Sequence, residues 1–153
     1  MIHSPTCQYA LRALIYLAEK NAPGPVLVRE IAEAADVPQP SLAKILHALR
    51  GHGLVRSTKG PGGGYQLARP GDQMRVVDVI EAVDGRIDLD GVCVLGLDTC
   101  SDQAPCALHD VWKVFRENYA STLSRMTLRT AADVIKAKRN VRAITTARVA
   151  HEP

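Results

Sequence analysis

Apolar positions along this chain fall into short runs of helical period, each closed by a break. From Tyr9 to Ala18 nearly every position except Arg12 is apolar, which reads as a helix buried on several sides. Thr6 is its expected cap and Lys20 its expected end. A Pro/Gly turn follows at Asn21 to Pro25. Val28, Ile31, Ala32 and Ala35 then keep the i, i+3, i+4, i+7 spacing of a short amphipathic helix. After the break at Asp36 to Pro40, Leu42, Ile45, Leu46 and Leu49 repeat that spacing, and Gly53 is placed to end the run. Two short helices joined by a tight turn predict a helix-turn-helix.

The period then changes. Leu54 to Thr58 and Tyr65 to Ala68 read as strands around a glycine-rich tip, Lys59-Gly60-Pro61-Gly62-Gly63-Gly64. Such a tip is expected to be flexible and poor in side chains. Helical spacing returns over Arg75 to Asp84 with Val76, Val79, Ile80 and Val83 on one face. Residues 85–105 have no period, and a loop of that length in a compact domain usually carries function. A long helix is expected from Ala107. Its Leu108, Trp112, Phe115, Tyr119, Thr122 and Met126 follow a heptad spacing that suits a two-helix subunit interface. Thr127 is placed to cap a last helix to about Arg139. The expected fold is mainly α with a small β-hairpin wing. A winged helix-turn-helix occupies 1–84 and a cysteine-rich loop 85–106. A dimerisation helix and a C-terminal helix share 107–140, and 141–153 is a basic tail.

Composition sharpens this picture only where it is uneven. The 153 residues suffice for one domain with an appended element. Net charge is +3, but residues 38–77 carry +5 and residues 78–110 carry −7. The basic stretch coincides with the second helix of the pair and the wing, and so could face a polyanion. Aromatics at 4% argue against a stacking platform for single strands. No apolar run is long enough to span a bilayer, and the N-terminus has neither a cationic start nor a small-residue cleavage site. The expectation is a cytoplasmic protein without a membrane partner, whose cysteines act as ligands or sensors rather than in disulfides.

The second helix of such a pair lies in a major groove. With Leu42, Ile45, Leu46 and Leu49 inward, it presents Gln39, Ser41, Lys44, His47 and Ala48. Gln39 suits an adenine edge, Lys44 a guanine or a phosphate, and Ser41 with the free N–H groups a phosphate. Lys59, Gly60, Pro61 and Gly62 form a wing tip suited to a minor groove. A nucleotide loop would need a helix after its glycines, whereas Tyr65-Gln66-Leu67 reads as a strand. The competing reading is a winged helix that binds only protein.

Three of the four cysteines stand close together as Cys93-x6-Cys100-x5-Cys106, and His109 follows after two residues. Three thiols in one polar, acidic loop do not make a core. Structural zinc favours closer pairs, whereas wider spacing within one loop can wrap a polynuclear cluster. Cys106 and His109, three residues apart at the start of the Ala107 helix, are expected on one side of its first turn. Cys7, remote in sequence, is the alternative fourth ligand. A cluster-free thiol sensor, an electron carrier and a zinc-stabilised interaction module remain open. No nucleophile–base pair or cofactor loop marks an enzyme or a small-molecule substrate.

The order of parts resembles the Rrf-two family of bacterial regulators. The likeness rests on Tyr9-Ala10-Leu11, Ser41-Leu42, Gly53-Leu54-Val55, the wing motif Gly60-Pro61-Gly62-Gly63-Gly64-Tyr65, Glu81-Ala82-Val83-Asp84, the three-cysteine loop and Thr127-Leu128. It covers about residues 1–138. The resemblance implies a homodimer, paired through Leu108, Trp112, Phe115, Tyr119 and Met126, that binds a pseudo-palindromic operator in double-stranded DNA. It also implies an iron–sulfur cluster on Cys93, Cys100, Cys106 and His109, 2Fe–2S ahead of 4Fe–4S. Cluster state would report iron, redox state, oxygen or nitric oxide. Lys59 falls where the iron–sulfur branch has a wing arginine. The chain departs from the family at three points. Its first cysteine gap is six residues where that branch has five. Gln8 stands where a nitric-oxide-sensing branch has an acidic ligand, and Ala43 where the iron–sulfur branch has a glutamate.

Overall fold

The structure is a computed structural model that describes residues 3–86, 91–97 and 99–149, without the side chains of 141–149. Residues 87–90 and 98 of the expected cysteine loop, and 150–153 of the expected tail, lie outside the described residues.

Helix α1 (Pro5–Lys20) runs through the middle of the core and buries Cys7, Ala10, Ala13, Leu14, Leu17 and Ala18. Its cap is Ser4, whose Oγ accepts the Cys7 N–H at 3.0 Å, and not Thr6. Pro5 explains the shift, because a proline with fixed φ and no N–H suits the first helical position. Helix α2 (Val28–Ala35) ends where Asp36 turns into the left-handed region, and α3 (Gln39–Gly51) buries Leu42, Ile45, Leu46 and Leu49. After α3, Gly53 at φ 68° donates to Arg50 O and Leu54 donates to Leu49 O, both at 3.0 Å. This paired closure needs a left-handed residue at the glycine position, the role the sequence predicts for Gly53.

Strands β1 (Val55–Thr58) and β2 (Gly64–Leu67) form the antiparallel hairpin, with Val55 opposite Leu67 and Thr58 opposite Gly64. Near its tip it is tied to the α1–α2 connection, where Val26 and Tyr65 exchange two backbone hydrogen bonds of 2.8 Å. A Cβ on Gly64 would stand 2.1 Å from Val26 O, and one on Gly63 would stand 2.3 Å from Thr58 O. The last two glycines of the run therefore serve close backbone approach. Only Gly60 and Gly62, at positive φ with open space around them, fit a simple flexible tip.

Helix α4 (Val76–Asp84) starts with a reciprocal Arg75–Asp78 box and buries Val76, Val79 and Ile80. Helix α5 (His109–Arg125) begins two residues later than the periodicity suggests. The cause is a turn in which Cys106 O accepts the His109 N–H at 3.1 Å. Helix α6 (Leu128–Val149) starts under Thr127, whose Oγ1 accepts the Thr130 N–H at 3.1 Å, and continues well beyond Arg139. At the α5–α6 corner, Val76 N–H donates to Met126 O and Leu128 N–H donates to Met74 O, each at 2.8 Å. Leu128, Ala131 and Ala132 of α6 lie in the same core as α1, so the boundary expected after Asp84 does not separate two cores. No helix among the described residues is long and apolar enough to cross a membrane.

Candidate nucleic-acid interface and metal centre

The α3 surface and the wing form one cleft of about 710 Å³, lined among others by Arg29, Gln39, Arg50, Ser57, Lys59 and Tyr65. Gln39, Lys44 and His47 are exposed on α3, Ser41 is half-buried, and Lys59, Gly60, Pro61 and Gly62 are exposed at the tip. Arg50 reaches from the end of α3 to donate to Ser57 Oγ at 3.2 Å, which braces the helix against β1. Arg29 enters the same cleft from the start of α2. Neither arginine belongs to the residues that the helical spacing puts forward. A basic residue in the last turn of α3, one turn beyond His47, was the available signal for Arg50. Nothing local announces Arg29, because it depends on how the wing folds back.

The cysteine site is built on the start of α5. His109 is the first residue of that helix and is buried, and so is Cys93. The donors come in two pairs. Cys93 Sγ and Cys106 Sγ are 3.7 Å apart, and Cys100 Sγ lies 3.1 Å from His109 Nδ1. This corrects the expectation that Cys106 and His109 share a helical face, since Cys106 precedes the helix. On its far side, His109 Nε2 meets Asp102 Oδ1 at 2.8 Å, and Lys113 Nζ holds both Asp102 oxygens at 2.9 and 2.8 Å. Lys113, and then His109, keep the Asp102 carboxyl below its usual range. A carboxylate on the outer nitrogen fixes the ring so that Nδ1 faces the cysteines, as in many metal-binding histidines. Hydrogen bonds from the backbone of Leu95, and further from Leu97 and Cys106, hold the Cys93 thiol below its ordinary value. The indole of Trp112 donates to Val92 O at 2.7 Å and so pins the loop to α5.

These separations suit a metal. A tetrahedral ion with thiolate arms of about 2.3 Å keeps two sulfurs about 3.8 Å apart, and a sulfur and an imidazole nitrogen about 3.5 Å apart. Cys7 sits elsewhere, fully buried at the start of α1 beside His3 and Asp84.

The heptad residues separate by role. Tyr119 and Met126 pack against the core, while Trp112, Phe115 and Tyr119 stack along α5 at centroid distances of 5.3 and 5.5 Å. The exposed apolar face of α5 consists of Leu108, Val111, Val114 and Phe115, with Val111 74% exposed. Thus the C-terminal half of the expected seam is intrachain packing, and Val111 and Val114, which the heptad reading omitted, continue the apolar surface.

Known proteins agree with this architecture. A helix-turn-helix-type transcriptional regulator of Aquifex aeolicus is 42% identical over 115 residues, 74% of this chain and 78% of that protein. The regulator IscR of Sodalis glossinidius is 35% identical over 121 residues, 79% of this chain and 72% of that protein. The structure of CymR, described as the global cysteine regulator of B. subtilis, superposes with a TM-score of 0.70 at 28% identity, covering 86% of this chain and 95% of that one. Residues 3–134 match the model of the Rrf2 family, described as iron-dependent transcriptional regulators. This chain, a winged protein with six α-helices among its described residues and an α3–wing cleft, belongs to the Rrf2 family of transcriptional regulators and not to a family of enzymes.

Proposed function

We propose that this regulator binds double-stranded DNA as a homodimer under the control of an iron–sulfur cluster held by Cys93, Cys100, Cys106 and His109. The carrying observation is the grouping of those donors into Cys93 with Cys106 and Cys100 with His109, with Asp102 behind the imidazole. Two ligands per iron is the requirement of a 2Fe–2S centre, so the pairing favours that form over 4Fe–4S. When bound, such a centre supplies a redox-active and labile group whose charge differs between states. The chain's own part is to orient the ligands. Asp102 sets the imidazole, Lys113 neutralises the carboxylate, and Trp112 holds the loop against α5.

Of the proposed DNA contacts, Gln39, Lys59 and Gly60 line the cleft, while Ser41, Lys44, His47, Pro61 and Gly62 lie outside its lining. Gln39, Lys44 and His47 face base edges, Ser41 faces a phosphate, and Lys59 with Gly60, Pro61 and Gly62 enters a minor groove. Leu108, Val111, Val114 and Phe115 pair with their copies in a second chain, which places two α3 helices on two half-sites.

A second reading has one specific support, the likeness to a cysteine regulator. With Cys93 held towards its thiolate and 3.7 Å from Cys106, a thiol switch without metal is a coherent alternative. Anaerobic purification with absorption spectra and iron and sulfide assays separates the two. The cluster reading expects a visible chromophore with two irons and two sulfides per chain, and different operator affinity in the loaded and apo forms. A colourless, iron-free protein whose DNA binding responds to oxidants would overturn it.

A further inference from the structure

A second group of donors lies outside the loop and takes no part in the function proposed above. Nδ1 of His3 is 3.7 Å from Asp84 Oδ2, and one donor atom each of His3, Cys7 and Asp84 lie within 4.8 Å of one another. These are an imidazole, a thiol and a carboxylate, and together they make a donor set that zinc-class ions accept. The residues come from the N-terminal segment, the first turn of α1 and the last residue of α4.

Each donor is already oriented by a neighbour. The outer nitrogen of His3, Nε2, is engaged by the Tyr119 hydroxyl of α5, which leaves Nδ1 to face Asp84. Ser4 grips Asp84 through both its backbone N–H, at 3.0 Å, and its hydroxyl. Cys7 is fully buried, so its sulfur has a fixed place and no access to bulk solvent. Burial, with the Asp84 charge added, pushes the Cys7 thiol up to about 12, so without a cation it remains protonated against the carboxylate. A divalent ion reverses this balance by releasing the proton and turning the thiolate into a ligand. A tetrahedral ion needs donors about 3.3–3.8 Å apart, so only modest contraction closes the cluster around one ion.

The geometry points to a mononuclear divalent site of the zinc class formed by His3 Nδ1, Cys7 Sγ and an Asp84 oxygen, with a fourth position left to water. It is separate from the cysteine loop, yet Asp84 stands directly before the loop's first residue. An ion there would fasten α1, α4 and, through His3 and Tyr119, α5 at the loop's root.

Cobalt reports such a site, because a thiolate bound to Co²⁺ gives a charge-transfer band and a tetrahedral ion gives intense visible bands. Metal-free full-length protein carrying Cys93→Ser, Cys100→Ser and Cys106→Ser should take up one Co²⁺ per chain with both bands, and Zn²⁺ should displace it. Adding Cys7→Ser should abolish the charge-transfer band. Adding His3→Ala or Asp84→Asn should weaken binding at least tenfold, and Tyr119→Phe should weaken it about 10- to 100-fold while keeping the bands. Should the triple variant fail to fold by circular dichroism, the wild-type chain carries the same test. Its zinc, measured by elemental analysis after the cluster is removed, should then fall with His3→Ala and not with His109→Ala. An absence of cobalt bands in folded triple variant, bands indifferent to Cys7→Ser, or zinc that follows His109 alone would overturn the site. None of these outcomes depends on an iron–sulfur cluster at the loop.

Discussion

Helices α3 and α5 sit in one chain but are held by different means. Helix α3 buries four aliphatic side chains in its 13 residues and is fastened by a glycine closure at one end. Helix α5 buries only His109 and Leu123 in 17 residues and leaves Leu108, Val111, Val114 and Phe115 in the open. Polar contacts fasten its start, through Trp112 to Val92 and Lys113 to Asp102. Helix α3 is thus locked into a core that α1, α2, α4 and α6 share, whereas α5 keeps an apolar face uncovered and a donor set at its start. Under the function proposed above, that division lets the readout keep its shape while the sensor changes.

Core truncation should separate the halves most sharply. Leu46→Ala should cost about 2–5 kcal/mol in urea unfolding, while Val111→Ala should leave the stability of the monomer nearly unchanged. Equal costs would remove the distinction. Next in size is Phe115→Glu, expected to weaken dimerisation about thirtyfold or more in sedimentation without loss of helical signal. A dimer as tight as wild type would show that this face of α5 is not the interface.

The two halves were also unequally readable. Helices α1 to α4 and the hairpin follow from periodicity and glycine placement, because each buries a regular stripe and is closed by a local signal. The cap falls at Ser4 and not at Thr6 because Pro5 takes the first helical position. The late start of α5, the Cys100–His109 pairing and the Val26–Tyr65 bridge depend on backbone closing across non-periodic chain, for which single-sequence spacing carries no signal. The cysteines and His109 could be named from residue type and clustering. Asp102, Lys113 and Arg29 could not, since their roles exist only once the loop and wing have folded back.

Third in size is Asp102→Asn, expected to lower cluster occupancy or lifetime about 10- to 100-fold while leaving unfolding of the α1–α4 core unchanged, measured by chromophore decay and circular dichroism. An unaltered chromophore would deny Asp102 its orienting part. Arg50→Ala should act on the other half. It should weaken operator binding at every site tested and reduce the salt slope by about one, with the cluster spectrum unaffected.

The smallest effect is expected at Glu30, where Lys20 and then Tyr16 hold the carboxyl below its ordinary range. Because its folded value is depressed, its contribution is fully present above the unfolded carboxylate value and fades as pH falls through the lower, folded one. Glu30→Gln should therefore lower the melting temperature slightly at neutral pH and by progressively less in acid. A difference that grows on acidification would reverse the assignment.

The corner at which Met74 and Val76 exchange hydrogen bonds with Leu128 and Met126 has a consequence for recombination between relatives. A single crossover after α4 would join a winged head to a foreign α6 and place unmatched side chains where Leu128, Ala131 and Ala132 meet α1. The exchangeable unit is instead an insert, with one junction after Gly85 and the other before Met126. Chimeras cut at those two points should keep the DNA specificity of the recipient and take on the sensor of the donor. Single-splice chimeras should be lost to misfolding, so the segment between Gly85 and Met126 should exchange as an insert and not as a tail.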